Sequence, residues 1–312
     1  MRQPYTHIRK CSVWFMVICY LLIANYACTR ADVVYIESPK GRVEIYPTSE
    51  HILPVVQYHF YNTDGKTEYF QLDSDNNGNF EGTLLTGTYR VIATNTSASH
   101  VLFDEMDSYE TAIVKAGLSP NTSADYTMLL QPDSVYSVIV ENLVVTEGDT
   151  VRQEPVPVLL TKHLELVFTM QDGLDTKVVS MTGVLPGIYP AVRLYTRAGA
   201  GIDQSPQMAV NFETVVKGDK REAHISLFGV HNDPDYTNSL ELNLTMNDGT
   251  SSKTTLDLTK ALSDAINEGT IPSKLSISVD VTITDDGIIK AAVNVEDWIE
   301  EEESEPEGIR EG

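Results

Sequence analysis

Beyond residue 28 the chain is written in short runs that alternate apolar and polar residues, the period-two pattern of strands with one buried face. Val33 to Ile36, Arg42 to Pro47, Val55 to Asn62, Lys66 to Leu72, Phe80 to Leu84 and Tyr89 to Asn95 form a first series, continued by Tyr126 to Leu130 and Ser134 to Leu143. A second series comprises His163 to Gln171, Thr176 to Val184, Tyr189 to Tyr195, Met208 to Val216, Glu222 to Phe228, Leu240 to Asn247, Ser252 to Leu256, Leu275 to Thr284 and Ile288 to Val295. Turn signals such as Asp64-Gly65, Asp172-Gly173, Pro186-Gly187, Asp248-Gly249 and Asp286-Gly287 separate the runs, and strands at this spacing predict a sandwich or barrel. Only one stretch has helical spacing: Leu258, Ala261, Leu262, Ala265 and Ile266, with Asp257 placed to cap it and Gly269 and Pro272 to end it.

The polar, proline-ended segment Glu147 to Pro155 divides the two series. The expected fold is all-β, with two tandem β-sandwich domains over 28–153 and 154–295 and one short helix in the second. Residues 296–312 hold nine acidic residues against one arginine, including the run Glu300 to Glu303, and are expected to be an acidic, disordered tail.

The first 27 residues follow another pattern. Arg2, Arg9 and Lys10 precede an unbroken apolar run from Val13 to Ala24, too short for a spanning helix of roughly 20 residues and typical of an export signal. Ala27-Cys28 follows at the place where a lipoprotein signal ends, although Asn25 and Tyr26 stand where a lipobox has leucine and a small residue. Cys28 is therefore the lipidation candidate; ordinary cleavage after Ala31 is the alternative. The other two cysteines, Cys11 and Cys19, fall inside the signal, so the body is expected to have no disulfide and no thiol-bound metal.

Composition narrows the function. With 45 acidic against 22 basic residues and a net charge of −23, the surface would repel a nucleic acid. A mean hydropathy of −0.15 with 42% hydrophobic residues excludes both a polytopic membrane protein and a wholly disordered chain. No H-E-x-x-H, G-x-S-x-G, P-loop or G-x-G-x-x-G spacing occurs, and no two of the seven histidines lie within five residues of each other. His59 and His224 fall at alternating strand positions, where an exposed or hydrogen-bonded histidine is commoner than a ligand. Asp73-Ser74-Asp75-Asn76-Asn77-Gly78 opens like a calcium loop, but Leu84 stands where the bidentate glutamate belongs. A polar turn is expected there, with a weak surface calcium site as the alternative. No cofactor, no metal site, no catalytic residue and no enzymatic activity are expected.

Residues 55 to 114 carry a family resemblance. Val56-Gln57-Tyr58-His59-Phe60-Tyr61, Asp64-Gly65, Gly78-Asn79-Phe80 and Leu84 to Asn95 have the layout of a transthyretin-like module, and Val101 to Thr111 resembles the stretch that follows it in FimB-type fimbrial anchor and accessory subunits of Bacteroidetes. Leu240 to Gly249, the short helix and the closing strand followed by Val295-Glu296-Asp297-Trp298 resemble the second domain of the same proteins. The resemblance implies an exported, surface-exposed lipoprotein of the outer membrane, held by a diacylated, palmitate-bearing cysteine. Its implied partners are membrane lipid and other fimbrial subunits, with assembly through sheet edges. Ile289, Ala291, Val293 and Val295, on one face of the last run, are the strand-exchange candidates, the alternative being that they simply close the second domain. The second functional expectation is a surface lipoprotein that binds glycans or host ligands on tyrosines such as Tyr58, Tyr61 and Tyr69.

Overall fold

The computed structural model describes residues 38–48, 55–65, 68–121, 123–171, 173–231, 233, 235–262, 274–284 and 288–294. In chain order the first-half strands are β1 (Lys40–Ile45), β2 (Val56–Asn62), β3 (Phe70–Asp73), β4 (Phe80–Leu85), β5 (Gly87–Asn95), β6 (Val101–Asp104), β7 (Ile113–Ala116), β8 (Thr127–Leu129), β9 (Tyr136–Val145) and β10 (Thr150–Gln153). The second half adds β11 (Val158–Leu159), β12 (Lys162–Met170), β13 (Val178–Pro186), β14 (Ala191–Arg193), β15 (Gly199–Ala200), β16 (Met208–Glu213), β17 (Val215–Lys217), β18 (Lys220–Leu227), β19 (Ser239–Met246), β20 (Ser251–Asp257), β21 (Lys274–Ile283) and β22 (Ile289–Asn294). The fold is all-β, as expected, and these strands all lie in the compact unit that begins at Lys40.

Two sandwiches follow one another. In the first, sheet β10-β1-β4 packs on sheet β11-β9-β5-β2-β3 around Val43, Ile45, Tyr58, Phe60, Phe80, Tyr89 and Leu143. In the second, sheet β17-β18-β12-β21-β22 packs on sheet β20-β19-β13-β16-β8 around Leu166, Phe168, Leu185, Leu242, Leu244, Ile277 and Val281. Strand β12 shows why these residues fold this way: Leu164, Leu166 and Phe168 turn inward while Glu165 and Val167 face out, the alternation its sequence displays.

Strands β2 and β5 break the alternation for a physical reason. His59 and Tyr61 are buried as well as Tyr58 and Phe60 on the opposite face, and a third layer covers the outer face of their sheet. That layer is the sheet β15-β14-β7-β6, with a core of its own that includes Tyr61, Ile92, Tyr109, Val114, Val135, Val192 and Phe228. A strand covered on both faces usually reads as a nearly continuous apolar run, but Gln57 and His59 keep Val56 to Tyr61 looking like an alternating one.

The third layer also joins the two halves. β14 pairs antiparallel with β7, Val192 opposite Val114, and β8 runs parallel to β16 in the second sandwich. Ser137 Oγ donates to the Leu194 carbonyl at 3.1 Å, Gln131 Nε2 to the Asn211 carbonyl at 2.9 Å, and the Tyr126 hydroxyl to Glu241 at 2.8 Å. The polar segment that divides the two sequence patterns contains β10, paired parallel to β1 from Arg42↔Thr150 to Ile45↔Gln153. An edge strand held by main-chain bonds needs no apolar face, so its side chains give no strand signal.

The helix begins where its residues indicate: residues 259–262 are helical, Asp257 Oδ1 accepts from the Thr259 N–H at 2.8 Å, and Leu258, Ala261 and Leu262 are buried. The signal segment, Val33 to Ile36, the remainder of the expected helix and the acidic tail lie outside the described residues. Among the described residues no helix is long and apolar enough to cross a membrane.

Candidate functional site

The strand-exchange candidates fall on β22, at one edge of its five-stranded sheet. β22 pairs antiparallel with β21 from Ser278↔Asn294 to Ile283↔Ile289. Ile289 is buried, and Ala291 and Val293 pack against the second core; Val295 and Cys28 lie outside the described residues. β22 also lies close to β20, the edge strand of the facing sheet, and no ladder joins the two. The outer main-chain groups of β22 thus belong to no ladder of the described sheets. An added strand could take them up.

Several other edges are blunted, although β4, six residues with Glu81 as its one charged side chain, is an edge of the same length as β22. β17 has three residues, β11 and β15 two each, and β20 carries the polar run Ser251-Ser252-Lys253-Thr254-Thr255. Short and charged edges discourage unwanted pairing. Among the longer edges, β22 presents Lys290 as its one charged side chain.

The tyrosine platform is corrected by the structure. Tyr58 is fully buried, its hydroxyl donating to the Gly78 carbonyl at 2.7 Å, and Tyr61 is buried with its hydroxyl on the Met106 carbonyl at 2.8 Å. Tyr58 belongs to the core between the two sheets of the first sandwich, and Tyr61 to the core under the third layer, on a face that alternation alone would leave in water. Tyr69 is half-buried and stacks on His59, ring centroids 5.9 Å apart.

His59 is the hydrogen-bonded kind of strand histidine: its Nδ1 lies 2.7 Å from the Tyr69 hydroxyl. Burial pushes its imidazole down from 6.5 to about 4. Above pH 6.5 neither folded nor unfolded chain holds this proton; between 6.5 and 4 only the unfolded chain takes it up, so stability falls with pH across that window. The loss is on the order of 3 kcal/mol. In urea melts at pH 7 and pH 4.5, His59→Gln is expected to lose less stability than wild type over the same interval; equal losses would assign the effect to other groups.

The Asp73 to Gly78 turn is closed on itself. Asp75 Oδ1 accepts from the Asn77 and Asn79 N–H groups, each at 2.8 Å, and Oδ2 from Asn79 Nδ2 at 3.1 Å. Burial opposes ionisation of Asp75, but the hydrogen bonds from Asn79 and Asn77 outweigh it and hold the carboxyl below its ordinary value. Its oxygens are engaged by the turn, which is how Asp organises such loops. A buried serine–histidine contact occurs as well: Ser205 Oγ lies 2.6 Å from His231 Nδ1. Ser205 is fully buried and Tyr236 abuts the imidazole edge-on, so this pair ties a loop to the core.

Sequence patterns did not show the clustering of Glu165, Glu222 and His224, whose ligand atoms lie within 4.8 Å of one another. The register of β12 and β18, with Glu165 opposite His224, is what unites them.

These features define an all-β protein of two sandwiches locked by a shared third layer, with β22 among the longer strands paired on one side only. The chain belongs to the family described as a domain of unknown function, DUF5119, which it matches over residues 27–203. The match runs past the end of β10 to include β14 and β15, the strands that complete the joining sheet. No curated protein matches the chain. A candidate adhesin from Bacteroides ovatus shares the fold at a TM-score of 0.59 and 17% identity, over 87% of this chain and 98% of that one. A candidate polysaccharide-binding protein from Bacteroides thetaiotaomicron aligns at 0.50 and 13%, over 81% and 96%. The fimbrial anchor protein Mfa2 from Porphyromonas gingivalis follows at 0.48 and 11%, over 81% and 94%, a likeness too loose to argue from.

Proposed function

We propose that this protein is exported, lipidated at Cys28 and held at the outer-membrane surface, where it serves as a structural subunit for adhesion or fimbrial assembly and not as an enzyme. The observation that carries the reading is the architecture: two interlocked sandwiches, shared along most of the chain with the Bacteroides ovatus candidate adhesin, and a six-residue edge strand, β22. Assembly is proposed to use that edge and the residues Ile289, Ala291, Val293 and Val295. Main-chain bonds along an added or exchanged strand would supply affinity, and alternate side chains specificity. The apolar run ahead of Cys28 supplies the export step, and the acyl chains of a lipidated cysteine a stable anchor.

Labelling with a palmitate analogue followed by membrane fractionation tests the anchor. Wild type is expected to label and to sediment with the outer membrane, and Cys28→Ala to do neither; a Cys28→Ala protein that still labels refutes it. Cross-linking on intact cells tests the assembly role, where capture of a pilin-like β-sandwich subunit supports it. Glycan binding with no such partner would replace it with the ligand-binding alternative.

A further inference from the structure

We propose that Glu165, Glu222 and His224 form a binding site for a divalent transition cation of the zinc type, on the outward face of the sheet β17-β18-β12-β21-β22. Glu165 on β12 sits directly opposite His224 on β18, and Glu222 lies two residues before His224, so alternation puts all three on the same face. Opposed and diagonal residues of paired strands are near enough for their side chains to meet. His224 Nδ1 is 3.8 Å from Glu165 Oε1, and His224 Nε2 is 3.8 Å from Glu222 Oε2. One imidazole thus lies between two carboxylates.

The environment favours a cation at this point. The two glutamates are largely sheltered, with side chains 17% and 14% exposed, and they stand on two paired strands of the sheet interior. Their charges are met at present by lysines at the margin: Lys274 Nζ at 3.5 Å from Glu165 and Lys217 Nζ at 2.9 Å from Glu222. Those lysine side chains are 52% and 71% exposed, so either can swing into water when a cation takes its place. Zinc binds imidazole nitrogen and carboxylate oxygen at about 2.0–2.2 Å. Drawing in ligand atoms that already lie within 4.8 Å of one another calls for side-chain rotation alone. The imidazole separates this site from a calcium or magnesium site, since those ions take oxygen ligands. Three protein ligands leave a fourth position open, facing outward from the sheet, where water or a donor from a partner surface can bind. His163, one step along the same face, is held by the Ser226 hydroxyl at 3.0 Å.

Zinc chloride titrated into the purified full chain, followed by calorimetry and by melting temperature, tests the site. Wild type is expected to bind one zinc that calcium does not displace. His224→Ala should weaken that event by about tenfold or more, and Lys217→Ala, which removes a competing ammonium group, should tighten it. His224 is exposed, so its replacement leaves the core intact, and equal melting temperatures without zinc confirm this. Zinc affinity unchanged by His224→Ala places the ion elsewhere, on the tail carboxylates or the cysteines, and overturns the proposal. No zinc-dependent heat or melting shift at millimolar zinc overturns it too.

Discussion

Removal of residues 288–312 is expected to abolish cooperative unfolding of the second sandwich, whereas removal of 296–312 alone leaves it unchanged. β22 supplies six ladder positions to β21, and its inward face carries Ile289, 3% exposed, with Ala291 and Val293 beside it. Val279 and Val281, which are buried at 1% and 0%, lie opposite Val293 and Ala291 and would be uncovered along one side. Each large buried side chain lost from a core costs about 2–5 kcal/mol when cut back to alanine, and a domain holds about 5–15 kcal/mol in all. Losing the strand therefore removes a sum comparable to the whole margin. Urea denaturation followed by circular dichroism, with dye binding to report exposed apolar surface, measures it. A shortened chain that unfolds in water assigns β22 to the core and confines its role in assembly to accepting a strand on its outer side. A shortened chain that melts near the wild-type midpoint shows a detachable strand, the behaviour a donor requires.

The strand periodicity was legible because most strands have one wet face. β12, β18, β19 and β21 alternate cleanly, and their core residues can be read from the text. What alternation could not show is a second covering layer. Val56 to Tyr61 reads equally well as one strand of a two-layer sandwich, and nothing local marks His59 and Tyr61 as buried; Tyr61 is covered by the third-layer core and His59 is stacked on Tyr69. β6 and β7 have four residues each, and the sequence around them, Val101 to Thr111, carries polar and acidic residues that break any period. β10 was hidden by its polarity. The zinc-type cluster was invisible for another reason: its members come from two strands far apart in the chain, and the register that joins them is a tertiary fact.

Phe60→Ala is expected to lower stability by about 3–5 kcal/mol and to bring down both sandwiches together. Phe60 is fully buried at the centre of a ring cluster, with centroids 5.0 Å from Phe70, 5.1 Å from Phe80, 6.3 Å from Tyr58 and 6.4 Å from Tyr89. Those partners are held by β2, β3, β4 and β5, so the cavity could close only by moving several strands at once, and the cost should lie toward the upper end. The more telling part of the result is its reach. If 28–153 and 154–295 were independent domains, the second would keep its own midpoint. The pairing of β7 with β14 and of β8 with β16, and the bonds from Ser137, Gln131 and Tyr126 into the second half, give the two sandwiches a shared layer that neither keeps alone. Hydrogen exchange on the variant should then show amides of β12 and β19 losing protection in step with those of β2. Protection retained in the second sandwich while the first opens would return the halves to the independence their sequence patterns suggest.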